Sequence, residues 1–150
     1  MNKLFVCALA GLLAAGLAGC GKQEKKKQDA AVKLPIEIKD EGVSATLGGG
    51  KLPKDAPAYV ALYPDADVMA VVKNVGGPGT ATMVTFSSKH KTDAIVGFYT
   101  KLGEKFGMEV VSDQVSYGTR HVRMKKEGQI ISLAVNERMH GDTMVELTYR

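Results

Sequence analysis

Three histidines and two neighbouring aspartates are the residues whose types could support acid–base or metal chemistry. His90, His121 and His140 are separated along the chain, and none shows the His-x-x-x-His spacing that brings two imidazoles to one face of a helix. Asp65 and Asp67 lie in a turn before a valine-rich run, where aspartates commonly accept hydrogen bonds from the backbone. A Gly-x-Ser-x-Gly nucleophile motif does not occur. We therefore expect no catalytic residue, no metal site and no cofactor, and the sequence does not favour an enzyme.

A different kind of chemistry is indicated by Cys20, which follows an apolar segment at the start of the chain. Lys3 precedes an uninterrupted run of apolar and small residues over 4–18, as in an export signal. The run has 15 residues, fewer than the roughly 18 to 20 that a membrane-spanning helix needs. We therefore expect residues 1–19 to be a signal peptide that is removed, rather than a transmembrane helix.

The residues around the expected cleavage point, Leu17-Ala18-Gly19-Cys20, resemble the lipobox of bacterial lipoprotein precursors. This resemblance implies cleavage after Gly19, a diacylglycerol group on the Cys20 sulfur, and an acyl chain such as palmitate on the new amino terminus. An ordinary secretory signal followed by an unrelated cysteine is the alternative. Because each buried methylene contributes about 0.8 kcal/mol, two or three acyl chains would hold the mature chain firmly at a membrane.

The same resemblance implies a location in the cell envelope. Gly21 stands where lipoproteins retained at the inner membrane of enteric-type bacteria tend to have aspartate, so the periplasmic face of the outer membrane is favoured. Cys7 lies in the expected signal peptide, which leaves Cys20 without a disulfide partner. The implied partners are the membrane, through the lipid anchor, and another envelope protein or component. Export argues against nucleic acid as a partner, despite the net charge of +4.

Residues 20–57 are predicted to form the lipidated cysteine and a flexible tether. Its lysines at 22 and 25–27 could attract an anionic membrane surface or simply keep the linker solvated. The alternation of apolar and polar residues over 32–47 leaves open a hairpin that joins the sheet, with Pro35 confining its first strand to an edge. The run Gly48-Gly49-Gly50-Lys51 lacks the other residues of a phosphate-binding loop and is interpreted as a hinge.

Residues 58–150 are predicted to form a single α+β domain. A helix is predicted over 92–106, because one buried stripe follows the helical spacing at Ile95, Phe98, Tyr99, Leu102 and Phe106. Ser88 or Thr92 is expected to cap its start. Two β-rich runs precede this helix and four follow it, so the expected order is ββαββββ. We expect an antiparallel sheet of about five to seven strands with the helix packed across it.

One predicted strand carries a row of cations. His121, Arg123 and Lys125 alternate with Val122 and Met124, so the three cationic side chains should share the face opposite the core. Such a row could contact an anionic partner, such as the phosphates of lipopolysaccharide or phospholipid head groups, or an acidic protein. An ordinary solvated sheet face is the alternative.

The folded part is also similar to a loose pattern in small bacterial lipoproteins of unassigned role. The similar segments are 51–57, 62–66 and 97–102, and Met108 stands where that pattern usually has an aromatic residue. With the lipobox, this resemblance implies a non-catalytic, membrane-anchored envelope lipoprotein that serves as an interaction or structural module. The alternative is a module that binds a lipid or another small apolar ligand between helix and sheet, near Ile95, Phe98 and Leu102.

Replacement Cys20→Ser should abolish lipidation, because serine has no thiol for the thioether bond. In cells grown with a labelled fatty acid, we expect label in the wild-type protein and none in the variant. Cys7→Ser, within the segment expected to be removed, is the matched control and should keep the label. Equal labelling of the wild-type and Cys20→Ser proteins would contradict the lipobox interpretation.

Overall fold

The computed structural model describes residues 36–40, 42–75, 80–138 and 141–150. In chain order, their helix and strands are β1 (Ile36–Asp40), β2 (Val43–Leu47), β3 (Asp67–Lys73), β4 (Thr82–Ser88), α1 (Thr92–Lys105), β5 (Glu109–Ser116), β6 (Thr119–Lys126), β7 (Gln129–Glu137) and β8 (Thr143–Tyr149). The predictions for the signal peptide 1–19, for Cys20 and for the tether up to residue 35 lie outside the described residues, as does His140. Within the described part, no helix is both long enough and apolar enough to cross a membrane.

The strands form one antiparallel sheet of eight, in the order β1-β2-β3-β4-β8-β7-β6-β5. The α+β class is confirmed, but the expected five to seven strands in the order ββαββββ are wrong, because four strands precede α1. The additional strands are β1 and β2, the hairpin within 32–47 that the sequence left open. β2 pairs with β3 from Ser44↔Lys73 to Leu47↔Ala70. This pairing gives a short hairpin the third strand that it needs to be stable.

Rows of buried side chains cross one face of the sheet, called the core face. In the central row, Val84 of β4 pairs with Leu147 of β8, and the row continues through Leu133 of β7 to Val122 of β6. All four side chains are at most 2% exposed. β7 and β8 share one inward face, on which alternate residues are all buried: Ile131, Leu133, Val135, Val145, Leu147 and Tyr149.

Helix α1 covers the part of the core face that β5, β6 and β7 form. Ile95 and Tyr99 are fully buried, and the other members of the predicted stripe, Phe98, Leu102 and Phe106, pack against them while partly buried. The Tyr99 hydroxyl donates a hydrogen bond to the Ala61 carbonyl at 3.1 Å. Burial raises the pKa of Tyr99, so this hydroxyl stays protonated as a donor.

The start of α1 is capped by a different group from the one predicted. Lys91 is the N-cap residue and makes no side-chain cap, so the expected cap by Ser88 or Thr92 is wrong. Instead, Oε1 of Glu137 on β7 accepts a hydrogen bond from the Thr92 backbone N–H at 3.0 Å. A carboxylate is favourable there because the amino-terminal end of a helix carries partial positive charge. Ser88 Oγ accepts a hydrogen bond from the His90 N–H in the preceding turn.

Residues 49–66, which contain neither helix nor strand, cover more of the core face. The side chains of this segment that pack into the core include Leu52, Ala56, Tyr59, Val60 and Tyr63. The Tyr59 hydroxyl donates to the Arg150 carbonyl at 2.9 Å, just beyond β8. Lys73 of β3 forms an ion pair with Asp55, with 2.7 Å between Nζ of the lysine and Oδ1 of the aspartate. The last residues of the range assigned to the tether therefore contact the sheet.

Two glycines of α1 differ sharply in their surroundings. A Cβ atom at Gly103 would lie 2.7 Å from the Met124 sulfur, and Met124 is fully buried in the core. A Cβ atom at Gly97 would meet nothing within 4 Å. Gly103 is therefore required by the close approach of α1 to β6, whereas Gly97 is not required by packing.

The replacements Gly97→Ala and Gly103→Ala should change the free energy of unfolding differently. Each gains up to about 1 kcal/mol of helix propensity. At position 103 this gain is opposed by overpacking against Met124, which typically costs about 1–3 kcal/mol. We expect Gly97→Ala to be the more stable variant by at least about 1 kcal/mol in urea unfolding. Equal stabilisation by both replacements would show that Met124 yields without cost.

Candidate functional site

The sheet face opposite α1, called the open face, has no second layer among the described residues. Residues paired across neighbouring strands lie on the same face of the sheet. The buried rows mark the core face, so the residues that alternate with them lie on the open face. On β6, Val122 and Met124 are buried, whereas Arg123 and Lys125 are exposed and His121 is half-buried. The predicted row of cations therefore lies on the open face.

A concavity of about 310 Å³ lies on the open face over β5 to β8. We call it the polar trough. Its open-face lining residues are Ser112, Gln114, His121, Arg123, Ser132, Ala134, Glu146 and Thr148. Ser132 and Ala134 of β7 form the floor, because their side chains are shorter than those on β6 and β8. The trough thus follows from small residues on one strand between larger residues on its neighbours.

The two sides of the trough carry opposite charges. His121 of β6 pairs with Ala134 of β7, which pairs with Glu146 of β8. The neighbouring row consists of Arg123, Ser132 and Thr148. Since adjacent strands are about 4.8 Å apart, the backbones of His121 and Glu146 lie about 10 Å from each other. The β6 side therefore presents Arg123 and the imidazole, and the β8 side presents a carboxylate.

The ionisable side chains of the trough have no partners within the described residues. No hydrogen bond or ion pair to another described residue involves the side chain of His121, Arg123 or Glu146. A charge on a folded surface that lacks an internal partner remains available to water or to a second molecule. The half-buried hydroxyls of Ser132 and Thr148 add groups that can donate or accept hydrogen bonds.

The structure separates some residues that the sequence grouped. Lys125 shares the open face with His121 and Arg123, but it lies outside the trough, paired in register with Glu109 of β5. His90 precedes α1, where its ring contacts Tyr63 edge-on at a centroid distance of 5.4 Å. The aspartates Asp65 and Asp67 occupy the turn before β3 and the first residue of β3. Neither aspartate lies in the trough.

Arg120, directly before His121, has a different role from the cations of the trough. Its guanidinium donates to both carboxylate oxygens of Asp113 on β5, at 2.8 and 2.7 Å, and to Asp93 of α1 at 2.7 Å. The hydrogen bond from Arg120 lowers the pKa of the Asp113 carboxyl. The cluster ties the first turn of α1 to the β5–β6 hairpin. Its positive charge is neutralised within the domain.

Sequence reasoning missed Glu146 and the contributions of β5 and β7 to the trough. Alternation alone places Glu146 on the outward face of β8, between the buried Val145 and Leu147. The missing information was the register that sets Glu146 against Ala134 and Ala134 against His121. The two-residue turn at Glu127-Gly128 could have supplied the β6–β7 part of that register.

No family model matches the chain, and no curated protein or solved structure matches it. Across the described ranges, no group of three or more His, Cys, Asp or Glu side chains is arranged to hold a metal ion. What the polar trough can do therefore has to be inferred from its shape, its charges and its hydroxyl groups.

Replacement Arg120→Gln should lower the free energy of unfolding by about 0.5–1 kcal/mol at pH 7, because two carboxylates lose their partner. The folded-state pKa of Asp113 is lowered, so its contribution is present above the unfolded-state pKa of about 3.9 and is lost as the pH falls through the folded-state pKa. The difference from wild type should thus be constant between about pH 5 and 8 and shrink below about pH 4.

Urea unfolding at several pH values measures this difference. Arg123→Gln, on the open face of the same strand, is the control and should change stability by less than about 0.5 kcal/mol. A deficit for Arg120→Gln that stays the same at pH 2.5 would contradict the ionic origin of the effect.

Proposed function

We propose that this chain is a non-catalytic lipoprotein of the cell envelope, held at a membrane by lipidated Cys20, whose sheet domain binds another envelope component through the polar trough. The observation that supports this proposal most directly is the trough itself, with charged side chains that have no partners within the described residues. The lipobox resemblance supports the anchor, and Gly21 favours the periplasmic face of the outer membrane.

The geometry of the trough suits an extended segment of a protein partner. Arg123 and His121 line the β6 side and would bind acidic groups of the partner, while Glu146 on the β8 side would bind a basic group. Ser132 on the floor and Thr148 on the β8 side offer hydroxyls for polar contacts along the segment. Because the trough is built on paired strands, the backbone positions that carry its side chains are fixed before a partner arrives, which lowers the entropy cost of binding.

The alternative, an apolar ligand between helix and sheet, is less well supported. Ile95 is fully buried, and Phe98 and Leu102 pack against the same core. Tyr99 adds a fully buried ring between them, in edge contact with Phe98. These side chains fill the space that a ligand would need, and filled cores of this kind account for their burial without a ligand.

A photo-crosslinking amino acid at position 134, on the floor of the trough, should capture the partner in intact cells. We expect a discrete adduct from position 134 and none from position 101, which replaces an exposed lysine on α1. Arg123→Glu should reduce the adduct from position 134 by about tenfold, because one charge contact becomes repulsive. Lys101→Glu is the matched charge control and should leave the yield unchanged.

Two outcomes would count against the proposed function. Adducts of equal yield from positions 134 and 101 would indicate random contact. A yield at position 134 that does not respond to Arg123→Glu would show that the charges of the trough do not contribute to binding.

A further inference from the structure

Strand β1 is one of the two edges of the sheet, and its outer side has no neighbouring strand among the described residues. Its pairing with β2 is continuous from Ile36↔Leu47 to Asp40↔Val43, without a bulge. Ile36 and Ile38 are 60% and 52% exposed on the open face. An unbulged edge strand that exposes branched apolar side chains is a template for pairing with another strand.

The other edge is built differently. β5 also exposes branched apolar side chains, such as Val115 at 70%, but it is interrupted by a bulge between Val110 and Ser112. Asp113 lies in the same strand, fixed by its ion pair with Arg120. Bulges and charges are the devices by which edge strands discourage pairing with other chains. β1 carries charges as well, but their order along the strand has the opposite consequence.

The direction of the free backbone groups of β1 follows from the hairpin. Only residues 41 and 42 connect Asp40 to Val43. In a two-residue hairpin the residues that flank the turn form a hydrogen-bonded pair, so Asp40 and Val43 form one here. Backbone groups alternate in direction along a strand. The N–H and C=O groups of Glu37 and Lys39 therefore point away from β2, toward the free edge.

Glu37 and Lys39 of β1 are complementary to the same two residues of a second copy in one register. A twofold axis perpendicular to the sheet places one residue opposite its own copy, and with Ile38 at that position Glu37 faces Lys39 of the second copy. Glu37 and Lys39 of each copy then form two hydrogen-bonded pairs that also join opposite charges. Moving the axis to Glu37 or to Lys39 would set like charges directly opposite each other, which is unfavourable.

The side chains involved are free to make these contacts. Within one chain, Lys39 Nζ lies 3.7 Å from Glu37 Oε2, but the two side chains are 76% and 65% exposed, so this pair is weak. The two Ile38 side chains would meet on the open face in a non-hydrogen-bonded pair, where the side chains approach most closely.

We propose that two copies of this chain associate through β1, antiparallel and centred on Ile38, to give one continuous sheet. The partner is a second copy because, when β1 runs antiparallel to another β1, Glu37 of each copy faces Lys39 of the other. The contact is short, so the association is weak in solution. This inference depends neither on Cys20 nor on the polar trough, which lies over β5 to β8.

Disulfide formation from Ile38→Cys tests the register directly. The full-length chain would carry Cys7→Ser and Cys20→Ser, so that the new thiol is its only one. Residues opposite each other in a non-hydrogen-bonded pair have Cα atoms about 4.5 Å apart, within the range of about 4.4–6.8 Å that disulfides need. Under mild oxidation we expect a covalent dimer on a non-reducing gel. Lys54→Cys, exposed outside the sheet, is the control and should dimerise only slowly.

Exchanging the charges at positions 37 and 39 tests whether the partner is a second copy of this chain. In the Ile38→Cys protein, Glu37→Lys alone or Lys39→Glu alone should slow dimer formation about tenfold, because like charges then face each other. The double replacement Glu37→Lys/Lys39→Glu should restore the rate. Mixing the two single variants should also restore it, through a heterodimer in which both facing pairs have opposite charges.

Three results would overturn the proposal. Equal rates for all charge variants would exclude the register, and equal rates for Ile38→Cys and Lys54→Cys would indicate random collision. If Ile38→Cys forms no dimer and reacts slowly with a soluble thiol reagent, β1 is covered by another part of the same chain. None of these results bears on lipidation or on the partner of the trough.

Discussion

The antiparallel ladder that runs from β1 to β5 is the constraint on which the other features depend. Pairing in register forces alternate side chains onto opposite faces, and one helix with residues 49–66 can cover only one of those faces. Residues such as Val84 and Leu147 fill the covered face. The open face must then suit water or a partner, and over β5 to β8 it does so with short polar and charged side chains.

Local patterns were sufficient to predict much of this fold. The four β-rich runs after the helix and the helical spacing around Ile95 and Tyr99 are local features, and the elements that they predict are present. The number of strands depended on a contact that is not local. β1 and β2 have only five residues each, and they become part of the sheet because β3 offers a free edge on the side opposite β4. Alternation within 32–47 could suggest strands but could not identify that neighbour.

The candidate site was predictable to a similar extent. Alternation along β6 placed His121, Arg123 and Lys125 on one face, and the structure has them there. Which of them share a concavity depends on the side chains of the neighbouring strands. Lys125 is excluded from the trough because the β7 residue in its row is Ile130, which is larger than the Ser132 and Ala134 of the floor. The contrast between Arg120 and Arg123 likewise required the position of α1, since only that position brings Asp93 to Arg120.

Pairing through β1 would have a consequence for binding at the trough. A twofold axis perpendicular to the sheet keeps the open faces of both copies on the same side, so the two troughs would face in the same direction. A partner with two binding segments, or an array of identical partners, could then engage both troughs at once. Linked binding of this kind raises the effective concentration for the second contact, so weak individual contacts at Arg123 and Glu146 would combine into tighter attachment. Lipid anchoring at Cys20 would act in the same direction, because confinement to a membrane surface increases the frequency with which two β1 strands meet.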